Sequence, residues 1–283
     1  MKKERKFLSL FLILCLVFTF AACGSKGLSD EEIMKKSMEN MEALKSLTAE
    51  TSMEMVFSMG EETMTMSSEM TQKVINEPMT MEMVMDMIMD LGGETQKVQS
   101  KVFAEANGDN LITYTQMDGD WYKVTQPGLE ALEEYDSTAS MATYLEAIQN
   151  FEKTATEDVA GVKADKYEGV ITEDYFQTIL EESGVGEQLG LDGADAETIK
   201  QLFEGIGEMP IAIWVDSERL LPVKYDFDMT AMMTAMMDNM GASEAGFSID
   251  KVTMSMTFTG FDNVDKIEIP EEAKNAEELE VEE

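Results

Sequence analysis

The chain has 283 residues, with 57 acidic against 21 basic side chains and a net charge of −36 at pH 7. That charge makes nucleic acid and anionic lipid headgroups poor partners. Histidine is absent and the two cysteines, Cys15 and Cys23, both lie near the start, so Ser–His and Cys–His nucleophilic sites and the usual zinc sites cannot be built. No catalytic residue and no cofactor is expected, and the protein is not read as an enzyme. Carboxylates are so abundant that two of them close in sequence carry no information about acid–base chemistry.

Residues 1–22 read as an export signal. Lys2, Lys3, Arg5 and Lys6 precede the uncharged run "FLSLFLILCLVFTF", which is too short for a comfortable membrane span. The run ends in "FAAC", which resembles the bacterial lipobox, with Phe20 where that motif more often has leucine. The resemblance implies removal of residues 1–22, lipidation of Cys23, a tether over 23–28 and an extracytoplasmic location anchored to the bacterial cell membrane. Loss of four basic residues and one acidic residue takes the net charge to −39. Cys15 lies in the removed segment and Cys23 carries lipid, so no disulfide is expected.

Ser29, with Glu32 three residues later, opens a helix as a capping box, and Met34, Met38, Met41 and Leu44 share one stripe. Strands follow. Met53, Met55, Phe57 and Met59 alternate with polar residues over 48–59, and Met64, Met66, Met70 and Val74 do so over 63–74. In 79–90 every second residue is methionine: Met79, Met81, Met83, Met85, Met87 and Met89. "GEE" and "NEP" supply the turns of a three-stranded meander. Strands at 95–106, 109–117 and 120–125 extend it, joined by "ANGDN" and "MDGD".

Helical patterns occupy 128–152, 173–183 and 194–205, and a hairpin turns near Ala160 and Gly161 between the first two. "IAIWVD" and "LLPVKYDFDM" are strands, with Leu221, Val223, Tyr225, Phe227 and Met229 on one face. A helical insert "AMMTAMMDNM" precedes a last strand whose face is Val252, Met254, Met256 and Phe258. The acidic end, 271–283, is expected to fray.

The expected fold class is mainly β with helices (α+β), with ten or eleven strands in one large antiparallel sheet and a single apolar face. Twist curls a sheet of that size around whatever buries its inner face. The order of elements, from "EIMKKSMENMEALKSLTAETSMEM" through "DGDWYKV" and "IAIWVDSERLLPVKYDFDM" to "KIEIPEEA", resembles bacterial lipoproteins of the LolA/LppX–LprG type. The resemblance implies an incomplete β-barrel over 29–270, covered on its concave face by helices, and a lipid or similar apolar ligand held between them.

The candidate cavity residues are Met53, Met55, Phe57, Met64, Met66, Met81, Met83, Met85, Met87, Val102, Phe227, Met254 and Met256. Methionine is unbranched and polarizable, a poor specifier of a unique core but a good lining for a mobile acyl chain. A packed face without ligand, in a scaffold or sensor that binds a protein partner, is the second reading. Cu(I) binding through methionine is the third, and no metal residue is assigned. Sulfurs along one strand, such as those of Met81, Met83 and Met85, start roughly 6.5–7 Å apart, and methionine fills ordinary core positions elsewhere in the chain.

Overall fold

A computed structural model describes residues 27–60, 62–127, 148–173, 201, 204–243 and 246–279. The export signal, Cys23 and most of the helices expected at 128–152, 173–183 and 194–205 lie outside the described residues.

The capping box forms as the sequence predicts: Ser29 Oγ accepts from the Glu32 backbone N–H at 3.2 Å, and Glu32 Oε2 accepts from the Ser29 N–H at 2.8 Å. It opens α1 (Asp30–Glu42), which buries Ile33, Met34, Ser37 and Met41. The chain then enters β1 (Ser46–Met59), β2 (Glu62–Asn76), β3 (Met79–Leu91), β4 (Glu94–Asn107), β5 (Asn110–Met117) and β6 (Asp120–Pro127). After residue 147 come β7 (Ile148–Val159), β8 (Val162–Ile171), β9 (Met209–Asp216), β10 (Pro222–Asp228), α2 (Thr230–Asn239), β11 (Phe247–Phe261), the single turn α3 (Glu271–Lys274) and β12 (Glu277–Leu279). Three hairpins turn on paired positive φ values, Gly92–Gly93, Asp118–Gly119 and Ala160–Gly161, the backbone that type I′ two-residue hairpin loops require.

All twelve strands form one open sheet in the order β12-β6-β5-β4-β3-β2-β1-β11-β10-β9-β8-β7. Every pairing is antiparallel except β12 with β6. Strand β1 stands at the centre, and its pairing with β11 joins the two halves of the chain. The inner face carries the main core, in which Ile33, Met34 and Met41 of α1 and Met232 of α2 gather with Leu47, Tyr167, Ile213, Tyr225 and Phe258 of the sheet. Asn40 ties α1 to the β9–β10 turn, donating to the Arg219 and Leu220 carbonyls at 3.0 Å each. That turn is built on Asp216, whose carboxylate accepts from the Glu218 and Arg219 N–H groups and from Arg219 Nε. Burial pushes the Asp216 carboxyl up, and these donors more than reverse it, leaving it below the usual range.

Four expectations are corrected. Residues 148–152 belong to β7, not to a helix: tertiary pairing with β8 overrides the helix-favouring "AIQNFEK". The apolar face is not single, because Phe103 and Tyr114 on the outer side pack with Ile267, Ile269 and Ala273, and Ala164, Trp214 and Val223 form a third cluster. Val223 leaves the face of Tyr225 and Phe227 because the β9–β10 register shifts between Pro222 and Lys224, and a bulge reverses the alternation. Nor do residues 271–279 fray, since Ala273 is buried and β12 lies along β6 with Glu278 paired to Lys123 at 3.1 Å.

Candidate functional site

Residues directly opposite one another on neighbouring strands share a face, so the registers lay the inner face out as rows across the sheet. The first row is Ala104, Met81, Val74, Leu47 and Phe261, and the second is Val102, Met83, Gln72, Ala49 and Phe258. The third runs Ser100, Met85, Met70, Thr51, Met256, Tyr225, Ile213 and Tyr167; the fourth runs Val98, Met87, Ser68, Met53, Met254, Phe227 and Ile211. The fifth is Gln96, Met89, Met66, Met55 and Val252, followed by Leu91, Met64, Phe57 and Ile249. All thirteen residues singled out in the sequence therefore lie on this one face.

Their surroundings differ. Met81, Phe227 and Met256 are buried members of the main core, and Met254 packs against it. Met53, Met55, Phe57, Met64, Met66, Met83, Met85, Met87 and Val102 are half-buried and pack against none of the three core clusters of the described residues. Alternation could not separate the two groups, because position along the strand decides the matter. The first row, with Ala49 of the second, sits in the main core that α1 also joins, and the methionines of the later rows on β1 to β3 lie beyond it. The candidate cavity residues leave out Met70 and Met89, though both were read on the apolar faces, and sequence reasoning passed over Gln72, which parity with Met66 and Val74 puts on the same face. Gln72 is buried and its Nε2 donates to Met81 Sδ at 3.2 Å.

On β1 to β4, which carry most of the methionines, and on β9 to β11 the first five rows hold no aspartate, glutamate, lysine or arginine; the third row reaches a charge at Lys153 of β7, opposite Tyr167. Charge lies on the reverse. Glu82 points outward, clamped by Lys73 at 2.9 Å and Lys101 at 2.8 Å, and Asp86 accepts from Gln99 Nε2 at 2.7 Å. Partial burial raises the Glu82 carboxyl, and the two ammonium groups outweigh it, so the net shift is downward. On the inner side under α1, the hydroxyls of Ser37, Tyr167 and Tyr225 are buried with no hydrogen-bond partner among the described residues. Burial, with Asp165 and Asp30 nearby, pushes Tyr167 up to about 12.

Two concavities adjoin this frame. One, of about 630 Å³, opens between α1 and β7 and is lined by Met34, Met38, Ile148 and Phe151, with Glu31 and Lys35 also on its wall. The other, of about 720 Å³, lies on the outer face around Trp214. Its lysines are spent on neighbours: Lys224 pairs with Asp226 at 2.7 Å, Lys166 with Glu168 at 2.6 Å, and both ammonium groups stand over the Trp214 ring. The apolar side is therefore the better candidate for a ligand. No group of three or more aspartate or glutamate side chains is placed to hold a metal among the described residues.

Fold and face together define an open, almost wholly antiparallel sheet, an incomplete barrel with a few helices, whose inner side is rich in methionine on β1 to β3. The chain belongs to the family of unknown function DUF6612, whose profile matches residues 29–278. Solved structures that it resembles include the lipoprotein LppX of Mycobacterium tuberculosis, 14% identical, covering 85% of this chain and 100% of that one with a TM-score of 0.42. LprF from Mycobacterium bovis is also 14% identical, covering 86% and 96% with a TM-score of 0.46. A DUF1329 family protein from Desulfovibrio piger is 8% identical, covering 83% and 92% with a TM-score of 0.23. A search of curated proteins finds no match. No helix among the described residues is long and apolar enough to cross a membrane.

Proposed function

We propose that the protein is an extracytoplasmic lipoprotein, anchored through Cys23 after removal of residues 1–22, that holds a lipid or similar apolar ligand against the methionine-lined face. The observation that carries this reading is the half-buried state of Met53, Met55, Met66, Met83, Met85 and Met87, which sit on the core-facing side of the sheet yet pack against no core cluster of the described residues. Apolar side chains that are neither core nor solvated surface are what a ligand-binding wall consists of. The absence of charge from the first five rows on β1 to β4 suits an apolar body and not an ionised headgroup, which would lie unpaired there at high cost.

The test is direct. The full chain, purified into lipid-free amphipol, is examined by native mass spectrometry and then titrated with a fluorescent acyl probe. Bound lipid or saturable probe binding, abolished by Met85→Trp in a protein that still melts cooperatively, supports the reading. A parent protein that carries no lipid and binds no probe overturns it. Anchoring is tested separately: Cys23→Ser should block incorporation of labelled fatty acid, and equal labelling of the variant would refute the lipidation.

A further inference from the structure

The fifth row contains the one run, among the rows described, in which three neighbouring strands each place a methionine directly opposite the next: Met89 on β3, Met66 on β2 and Met55 on β1. Periodicity along a strand argues against a thioether site because successive inward residues start roughly 6.5–7 Å apart. Across the strands the spacing is shorter. Directly opposed Cβ atoms lie about 4.5–5.5 Å apart, so the outer two of the three are separated by about 10 Å, twice the interstrand spacing. An unbranched side chain with three rotatable bonds on each strand can bring its sulfur to a common point above Met66.

We propose that Met55, Met66 and Met89 bind one soft monovalent cation, Cu(I), through three thioether sulfurs. Soft thioethers select Cu(I), and hard divalent ions prefer oxygen. The neighbours suit such an ion: Gln96 and Val252 flank the row, no charged side chain shares it, and all three methionines are half-buried outside the core clusters, so an ion can reach them. A single positive charge with neutral ligands costs far less to hold there than a divalent one. The chain's net charge of −36 raises the local concentration of cations. No histidine exists to compete, and both cysteines precede the described residues. The ion binds without changing oxidation state, so no electron donor or acceptor is involved. The proposal shares Met55 and Met66 with the apolar-ligand reading, but each has its own readout and either can fail alone.

The experiment uses the full chain under anaerobic conditions, with Cu(I) kept reduced by ascorbate and bicinchoninate as competing chelator. One equivalent should stay on the protein, and its X-ray absorption spectrum should show sulfur neighbours only. Met55→Leu, Met66→Leu and Met89→Leu combined should release it; leucine conserves volume, and circular dichroism confirms that the variant folds. A second triple variant, Met53→Leu, Met85→Leu and Met87→Leu, should retain the ion. Failure of the parent to hold copper, oxygen or nitrogen ligands in the spectrum, or equal behaviour of the two triple variants, would overturn the assignment. Acyl-probe titration of the parent in copper-free buffer separates the two readings, because it reports on the apolar ligand with no ion present.

Discussion

The two halves of the sheet treat their inner faces differently. On β8 to β11, Ile211, Ile213, Tyr225, Phe227 and Phe258 are branched or aromatic, fully buried and joined to residues of α1 and α2 in one core. On β1 to β3, beyond the first row, methionine is the commonest residue at the equivalent positions in the rows, and every one of those methionines is half-buried. The first half specifies a unique packing; the second uses a side chain that tolerates many neighbours. One half supplies most of the main core of the described residues, and the other is the half to which the proposed ligand is assigned.

Mutations across this divide sharpen it, beginning with the largest effect. Ile213→Ala removes a fully buried side chain and should cost about 2–5 kcal/mol in denaturant melts, the transfer loss plus a cavity. Met81→Ala belongs with it in spite of its place on β3, because Met81 is 1% exposed. If Met81→Ala and Met85→Ala lower stability equally, the division of the strand into core and wall fails. Asp216→Ala removes the acceptor of two backbone N–H groups and of Arg219, with an expected loss of about 1.5–3 kcal/mol for hydrogen bonds to a charged group. Met85→Ala should cost about 1 kcal/mol, near the centre for point mutants.

Glu82→Gln comes next, at about 0.5–1 kcal/mol. Sequence alone makes this outward-facing change look nearly silent, but the two-lysine clamp gives it the worth of a partly screened ion pair. The smallest effect is that of pH on the wall. Asp165, Asp216 and Glu82 are all held below their ordinary range, in each case against the upward push of burial. Their stabilisation is complete above the unfolded values of about 4 and is lost as pH falls through the lower folded values. Melting temperature should therefore drop on acidification below about pH 4, whereas acyl-probe affinity should stay flat from neutral pH down to that point. A steep change of affinity in that interval would mean that a titratable group faces the ligand.

The strands of the meander could be read from alternation alone, because Met79 to Met89 leave no other period. The capping box at Ser29 and the turn at Ala160–Gly161 were equally plain. Register was not. Nothing local tells Met53 that its neighbour is Met254, since that pairing is chosen by the whole sheet. The outer-face cluster was hidden for a related reason: Phe103 sits where a solvated residue is expected until Ile267 and Ile269 return to cover it. Val223 was misplaced because a bulge has no sequence signature here, and 148–152 because helix propensity is weak evidence against a waiting partner strand. Of the candidate site, the side of the sheet was readable, but which methionines are core and which are wall was not.

The seam between β1 and β11 also governs how the chain acquires its structure. Strands β1 to β6 pair each with the next and can assemble as soon as they exist, over short loops. The seam joins Ser58 to residues near Asp250, whose carboxylate accepts from the Ser58 hydroxyl at 2.6 Å, and contacts so distant in sequence form slowly because loop closure precedes their reward. Until residue 247 and its successors arrive, one edge of β1 stays open and the main core lacks Met256 and Phe258. The contacts that lock the two halves of the sheet together are therefore written late in the chain, and the fold closes only after most of it has been made.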